Sequence, residues 1–195
     1  MTEIYLLRHA ETDANKNYIV QGRMDNPINK TGFEQALAVG KYLKEQKIIF
    51  DLVISSPLKR AFKTAELINR GMVVSRPILI DKDLIERNFG DYDGKKITDD
   101  YYEMQRKGLI PNMETDEELE ERVITTLTKI AEKHDGKRLL VVTHSHVIKA
   151  LLHQLVEGFS YMEYLHNCSM NCLIYENGKF QITSCNYDPL EKNKA

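Results

Sequence analysis

Chemistry in this sequence is first concentrated where an apolar run meets a polar pair. Ile4-Tyr5-Leu6-Leu7 leads directly into Arg8-His9, the pattern of a buried strand that stops at a polar tip. A neutral imidazole carries a free lone pair near neutral pH and can attack phosphorus. Arg8 and Arg60 each offer a planar fork of donors matched to phosphate oxygens. His144 adds a third donor group. The backbone N–H groups of Gly22 and Ser145, the latter beside a predicted helix start, complete an anion nest. Together these residue types point to phosphoryl transfer, which needs a nucleophile and fixed positive groups around developing charge. The same cations disfavour a further positive charge on His9 and so keep it neutral.

Residues so far apart in the chain need a scaffold that brings them together. Asp51–Ser55 is predicted as a second strand, followed by a helix with Ser56 as N-cap and Pro57 at its first position. Ile78–Ile80 is a third strand. Arg138–Thr143 is the clearest buried strand and delivers His144 at its end. Between these runs lie helical patterns. Thr31–Glu34 is a capping box opening a helix to about Gln46, and Thr115–Glu118 is a second box ahead of Leu119, Val123, Leu127 and Ile130. Val147–Val156 is an apolar helix. The polar stretch from Glu11 to Asn29 is predicted as loop, Phe89–Gly94 as a turn, and a short helix as passing through Tyr101 and Met104. Ser169–Tyr175 and Phe180–Thr183 flank Asn177-Gly178, a strong hairpin signal. Strands alternating with helices predict a three-layer α/β/α fold on a mostly parallel mixed sheet. Sites in such sheets gather beyond the carboxyl ends of the strands, where Arg8-His9, Ser55-Ser56 and His144-Ser145 fall.

With 195 residues, one domain over 1–195 is expected. The 27 Lys and Arg nearly balance 29 Asp and Glu, so bulk charge gives no reason to expect nucleic acid or an acidic membrane as partner. The N-terminus lacks a basic region followed by an apolar one, and no apolar run is long enough to span a bilayer. Three cysteines, Cys168, Cys172 and Cys185, fit reduced thiols in a cytoplasm, with burial as small hydrophobes. His144 and His146, with Cys168 and Cys172, offer metal-ligating side chains, but no third ligand has convincing spacing, so neither metal nor other cofactor is expected. The charged tail from Leu190 to Ala195 is expected to fray.

Leu7-Arg8-His9-Ala10-Glu11-Thr12 resembles the signature of the histidine phosphatase superfamily, the phosphoglycerate mutase-like proteins. The resemblance continues through Asn15, Gln21-Gly22, Asp25-Asn26-Pro27, Ser55–Ala61, Leu84–Gly90 and Val142–His144, in the family's order. It implies that His9 is transiently phosphorylated, that Arg8, Arg60 and His144 bind the phosphoryl group, and that Glu86 is the proton donor. Thr12, Asn15, Gln21, Gly22 and the Ser145 backbone are implied as supporting phosphate contacts. Two departures stand out: Ala10 replaces the glycine usual after the nucleophile, and Ser145-His146 follows the second histidine where glycine is usual. The imidazole of His146 is free to enter the pocket or point away. A carboxylate beside several cations is expected to have a depressed pKa without substrate, making Glu86 a competent acid only when phosphate is bound.

Three activities compete on this reading. Hydrolysis of a small phosphomonoester is favoured. A phosphoglycerate mutase would resemble its relatives in carrying a longer insertion with adjacent arginines, whereas Asp91–Asn112 is short and has no Arg-Arg pair. A non-catalytic binder would be expected to lack His9 or Glu86. The segment around 91–113 is expected to act as a short cap-like insertion. The acidic run from Glu114 to Glu121 is most simply a solvated helix face, although Glu114-Thr115 also resembles a short motif of phosphatase members. A homodimer stays open.

Overall fold

The computed structural model describes residues 1–191. The frayed tail expected from Leu190 lies, from residue 192 onward, outside the described residues. Six strands form one sheet: β1 (Thr2–Arg8), β2 (Leu52–Ser55), β3 (Ile78–Ile80), β4 (Arg138–Thr143), β5 (Met170–Glu176) and β6 (Lys179–Tyr187), in the order β3-β2-β4-β1-β5-β6. The first four run parallel, and β5 is antiparallel to both β1 and β6. This is the mixed α/β sheet that the alternating pattern predicts.

Side-chain alternation splits the core into two layers. Ile4, Leu6, Leu139 and Val141 face α5 (Asp116–Lys133) and α6 (Ser145–Leu155). Leu7, Val53, Leu140 and Val142 face α2 (Lys30–Glu45) and α3 (Lys59–Gly71). A strand buried on both faces reads as a continuous apolar run, which is why β1 and β4 were so visible. Two short helices, α1 (Asp13–Lys16) and α4 (Asp99–Arg106), lie outside these layers.

Register decides where the chemistry lands. Arg8 pairs with Thr143, and Ser55 pairs with Val142. Hydrogen bonds then run on past the strand ends, from His9 N to Thr143 O at 2.9 Å and from Ser56 N to Val142 O at 3.0 Å. Three central strands therefore end in one row, and the residues following each emerge side by side.

Several helix starts differ from expectation. The Thr12–Asn15 pair forms a full capping box and opens α1 inside the segment expected to be loop. Helix α2 begins at Lys30, two residues before Gly32, because Asn29 Oδ1 accepts from Gly32 N at 2.9 Å; Thr31 is inside the helix. Helix α3 begins at Lys59, not Pro57. Its N-terminal N–H is capped from a distance, Lys59 N donating to Asp25 Oδ1 at 2.7 Å, and this frees the Ser56 hydroxyl for another partner. The Thr115–Glu118 box is present as predicted, and so is the Asn177-Gly178 turn, with both residues at positive φ. Cys168 is buried as expected, but Cys185 is exposed because it sits on the outermost strand.

The link between β1 and α2 is very close. A Cβ on Gly32 would lie 2.2 Å from Glu11 O and 2.9 Å from Glu11 N, both backbone atoms. Only glycine lets α2 seat against the chain that leaves His9. Gly32→Ala is expected to destabilise the protein by about 1–3 kcal/mol or more and to lower activity by shifting that loop. Urea denaturation would measure the first effect; an unchanged midpoint would mean α2 can slide away at little cost.

Candidate active site

His9 follows β1 and is almost fully buried. Its Nδ1 lies 2.8 Å from its neighbour's carbonyl, Ala10 O. A carbonyl only accepts, so Nδ1 carries the proton and Nε2 keeps the lone pair. Ala10 itself is held by Ala10 N donating to Thr64 Oγ1 at 3.0 Å. Its φ is not positive, so alanine fits where the family usually has glycine. Asn167 Nδ2 donates to His9 O at 2.9 Å, fixing the backbone from the other side.

The cations and the second histidine stand around this ring. The His9 and His144 ring centroids are 5.3 Å apart. Arg8 Nη1 donates to Leu165 O, and Arg8 Nε has no protein partner. Arg60 is 0% exposed; Nη1 donates to Met24 O and Nη2 to Gly22 O, each at 2.7 Å, while Nε is unpartnered. Burial lowers the Arg60 pKa to about 10, which still leaves it charged at neutral pH. His144 caps α6, and its Nε2 lies 2.7 Å from Ser56 Oγ. Ser56 Oγ accepts from Leu58 N, so its own proton is available to Nε2; that assignment leaves Nδ1–H as a buried donor without a partner. Buried polar groups are nearly always satisfied. Unpartnered donors on Arg8, Arg60 and His144 beside an imidazole lone pair are therefore the mark of an anion site.

Gly22 departs from expectation. Its N–H does not form a free nest: it donates to Asp93 Oδ1 at 2.7 Å, while Arg23 N and Met24 N donate to Asp93 Oδ2 at 3.0 and 3.2 Å. The 21–24 loop is thus gripped on its carbonyls by Arg60 and on its N–H groups by Asp93. Thr12 is buried, with its hydroxyl bonded to Gln21 Oε1 at 3.1 Å while capping α1. Asn15 Oδ1 accepts from Thr12 N at 3.2 Å and from Asn167 Nδ2 at 3.3 Å. Gln21 Oε1 also accepts from Asn26 Nδ2. These three side chains knit the loop beside His9. Ser145 is the first residue of α6, where backbone N–H groups have no acceptor within the helix.

Glu86 is only 3% exposed. Its Oε1 accepts from Arg87 N at 2.8 Å and its Oε2 from His146 N at 3.4 Å. The expected depression of its pKa is reversed. Burial raises it, and this outweighs the N–H groups and the charges of Arg60 and Arg8 that pull the other way. Burial thus makes this carboxyl easier to protonate than an exposed one. His146 has its own partners. Its ring packs edge-on against Phe89 with centroids 4.8 Å apart, and its Nε2 meets Gln105 Nε2 of α4 at 3.1 Å. With His144 on Ser56 and His146 on Gln105, the two rings do not share a ligand; among the described residues no group of three or more His, Cys, Asp or Glu is arranged to hold a metal ion. An open groove of about 480 Å³, lined in part by Arg23, Asn88 and Glu114, adjoins the segment that carries Glu86.

Four residues here escaped the sequence reading. Asp93 sits in a run predicted only as a turn, and Asn167 in an unassigned stretch. Ser56 is expected only as a helix cap, and Thr64 lies within α3. Each acts through hydrogen bonds to distant parts of the chain, which have no signal in local spacing.

The chain belongs to the histidine phosphatase superfamily (branch 1), whose pattern it matches over residues 4–188. It is 39% identical over 158 residues to the uncharacterized phosphatase PhoE of Bacillus subtilis (strain 168), covering 81% of this chain and 79% of that protein. The fold is similar to the crystal structure of a phosphoglycerate mutase from Bacillus anthracis str. Sterne, with TM-score 0.87 and 26% identity over 100% of this chain and 97% of that one. It is also similar to a phosphoserine phosphatase variant from Entamoeba histolytica in complex with phosphoserine, with TM-score 0.82 and 25% identity over 95% and 97% of the two chains. Among the described residues no helix is long and apolar enough to cross a membrane.

Burial, followed by the charges of Arg60 and Arg8 at His9 and of Arg60 at His144, holds both imidazoles well below their ordinary pKa; at His146 burial and Lys149 do the same. Below about pH 6.5 the unfolded chain then binds more protons than the folded one. The stability these rings contribute is complete above that pH and is lost progressively as pH falls from there toward their depressed folded values. Glu86 acts oppositely: its contribution is complete below about pH 4.3 and fades as pH rises toward its elevated folded value. Thermal melts are expected to show Tm falling from neutral pH toward about pH 5, with a shallower slope in His146→Gln. A flat profile would mean these rings are protonated in the folded protein.

Proposed function

We propose that the protein is a phosphomonoester hydrolase acting on small phosphorylated metabolites through a phosphohistidine at His9. The observation that carries this reading is the set of unpartnered buried donors on Arg8, Arg60 and His144 beside the Nε2 lone pair of His9. In the first step His9 Nε2 attacks phosphorus while those donors hold the oxygens. The Nδ1 proton stays on the ring and keeps its hydrogen bond to the Ala10 carbonyl, which offsets the charge the ring gains. Glu86, made easier to protonate by its burial, passes a proton to the leaving oxygen as the ester bond breaks. In the second step Glu86 takes a proton from water, the resulting hydroxide attacks phosphorus, and the P–N bond breaks to restore neutral His9.

The Ser145 backbone adds a donor at the head of α6, and Thr12, Asn15, Gln21 and Gly22 support the oxyanion cradle through the loop they build. No metal or other cofactor takes part in this scheme, since protein cations neutralise the phosphate. Residues 1–195 act as one domain in a cytoplasmic setting, and the short 91–113 segment serves as a cap. Its brevity favours hydrolysis, because a mutase must keep water from its phosphoenzyme. The mutase reading draws support from the similar Bacillus anthracis structure, and the two separate by product: free phosphate against an isomeric phosphoester.

His9→Ala is expected to lower turnover of small phosphomonoesters by roughly three orders of magnitude or more, and wild-type enzyme stopped in alkaline detergent should carry acid-labile phosphate that the variant lacks. Retained turnover would refute the nucleophile. Activity should persist in a chelator; its loss, with recovery on adding zinc, would replace this scheme with a metal-dependent one.

A further inference from the structure

Glu86 has few anchors of its own. Its carboxylate is held by two backbone N–H groups, one of them at the long distance of 3.4 Å. Its position must be inherited from the segment around it, and that segment is gripped from one place. Arg122, on the second turn of α5, forks onto Glu114 through Nε at 2.7 Å and Nη2 at 3.0 Å. The remaining Nη1 donates to the carbonyls of Asp83 at 2.7 Å and Ile85 at 3.0 Å. Glu114 completes the grip from the other end. Its Oε2 accepts from Asn88 N at 3.1 Å, its carbonyl accepts from Arg87 Nε and Nη2, and its own N–H donates to Asn88 O. The chain is thus fastened at 83, 85, 87 and 88, on both sides of the acid.

We propose that Arg122 and Glu114 are positioning residues, a paired brace that sets the Glu86 carboxyl against the leaving oxygen of the substrate. This rests on the hydrolase reading, in which Glu86 is the proton donor. Both side chains are largely removed from water. Burial works against ionising Glu114, yet Arg122 and the Asn88 N–H hold its carboxyl below the usual range. Two desolvated charges add little net stability over apolar residues of the same size, so the return on this pair is geometric. Misplacing a reacting group by about 1 Å costs on the order of a hundredfold in rate. The brace also explains why Glu114 opens the acidic run: it faces inward, unlike the solvated helix face that follows.

A brace for the acid has a signature that a general loss of structure lacks. Glycerol 2-phosphate has a poor leaving group that must be protonated, whereas 4-nitrophenyl phosphate releases a stable anion and needs the acid little. Glu114→Gln and Arg122→Lys are expected to lower kcat/KM for glycerol 2-phosphate by about 10–100-fold, and for 4-nitrophenyl phosphate by less than about threefold. Orthovanadate affinity, a readout of the oxyanion cradle, should not change. Glu86→Gln should show the same split more strongly. Equal losses on both esters, or none on either, in both brace variants would overturn the brace. If Glu86→Gln shows no split, the acid assignment falls and the brace with it; if the wild type releases no phosphate from either ester, the hydrolase reading falls instead. Glu114→Gln is nearly isosteric and keeps the test available should Arg122→Lys unfold.

Discussion

Positive charge that cannot reach water governs this site. Arg60 is fully buried and Arg8 nearly so, and moving such a group from water into protein carries an effective penalty of several kcal/mol, of which each hydrogen bond recovers only about 1–3. The protein recovers part of it with backbone carbonyls: Leu165 for Arg8, and Gly22 and Met24 for Arg60. It leaves Nε of each unsatisfied. That remaining deficit gives an incoming oxyanion something to relieve. It also explains the protonation states nearby, because desolvation and positive charge both keep His9 neutral while desolvation alone pushes Glu86 toward its acid form.

Holding two arginines in such a place demands a rigid surround. The parallel register of β1, β2 and β4 supplies the row of anchor points, and the loops supply the rest. The 21–24 loop has no regular structure, yet Arg60 occupies its carbonyls and Asp93 its N–H groups. A segment without secondary structure needs such partners for every backbone group it buries. Because Asp93 belongs to the 91–113 segment, that segment and the 21–24 loop are mechanically one piece. His146 adds a second tie by meeting Gln105 of α4.

Much of this was visible in the residues alone. Strands β1 and β4 announced themselves as apolar runs, the Asn177-Gly178 hairpin as a turn dipeptide, and Thr115–Glu118 as a helix start. The blocks that carry His9, Arg8, Arg60, Glu86 and His144 were legible because they follow the order of a known family. What stayed hidden depends on distant partners. Asp25 caps α3 from another part of the chain, so Ser56-Pro57 misplaced that helix by two residues. Asn29 likewise displaced the Thr31 box. The sign of the Glu86 shift was hidden for another reason: the cations near it could be counted in the sequence, but the depth of its burial could not.

The bond from His9 Nδ1 to the carbonyl of Ala10 has an uncommon property. Enzymes often set a histidine's tautomer with a carboxylate or amide from elsewhere, and a single substitution there can reverse it. Here the acceptor is a peptide oxygen of the next residue, present whatever side chain that residue bears. Glycine and alanine are therefore interchangeable for this purpose, and genetic variation has no side chain to remove. Only a change in the path of the main chain between Arg8 and Glu11 would move the proton off Nδ1 and close the free nitrogen.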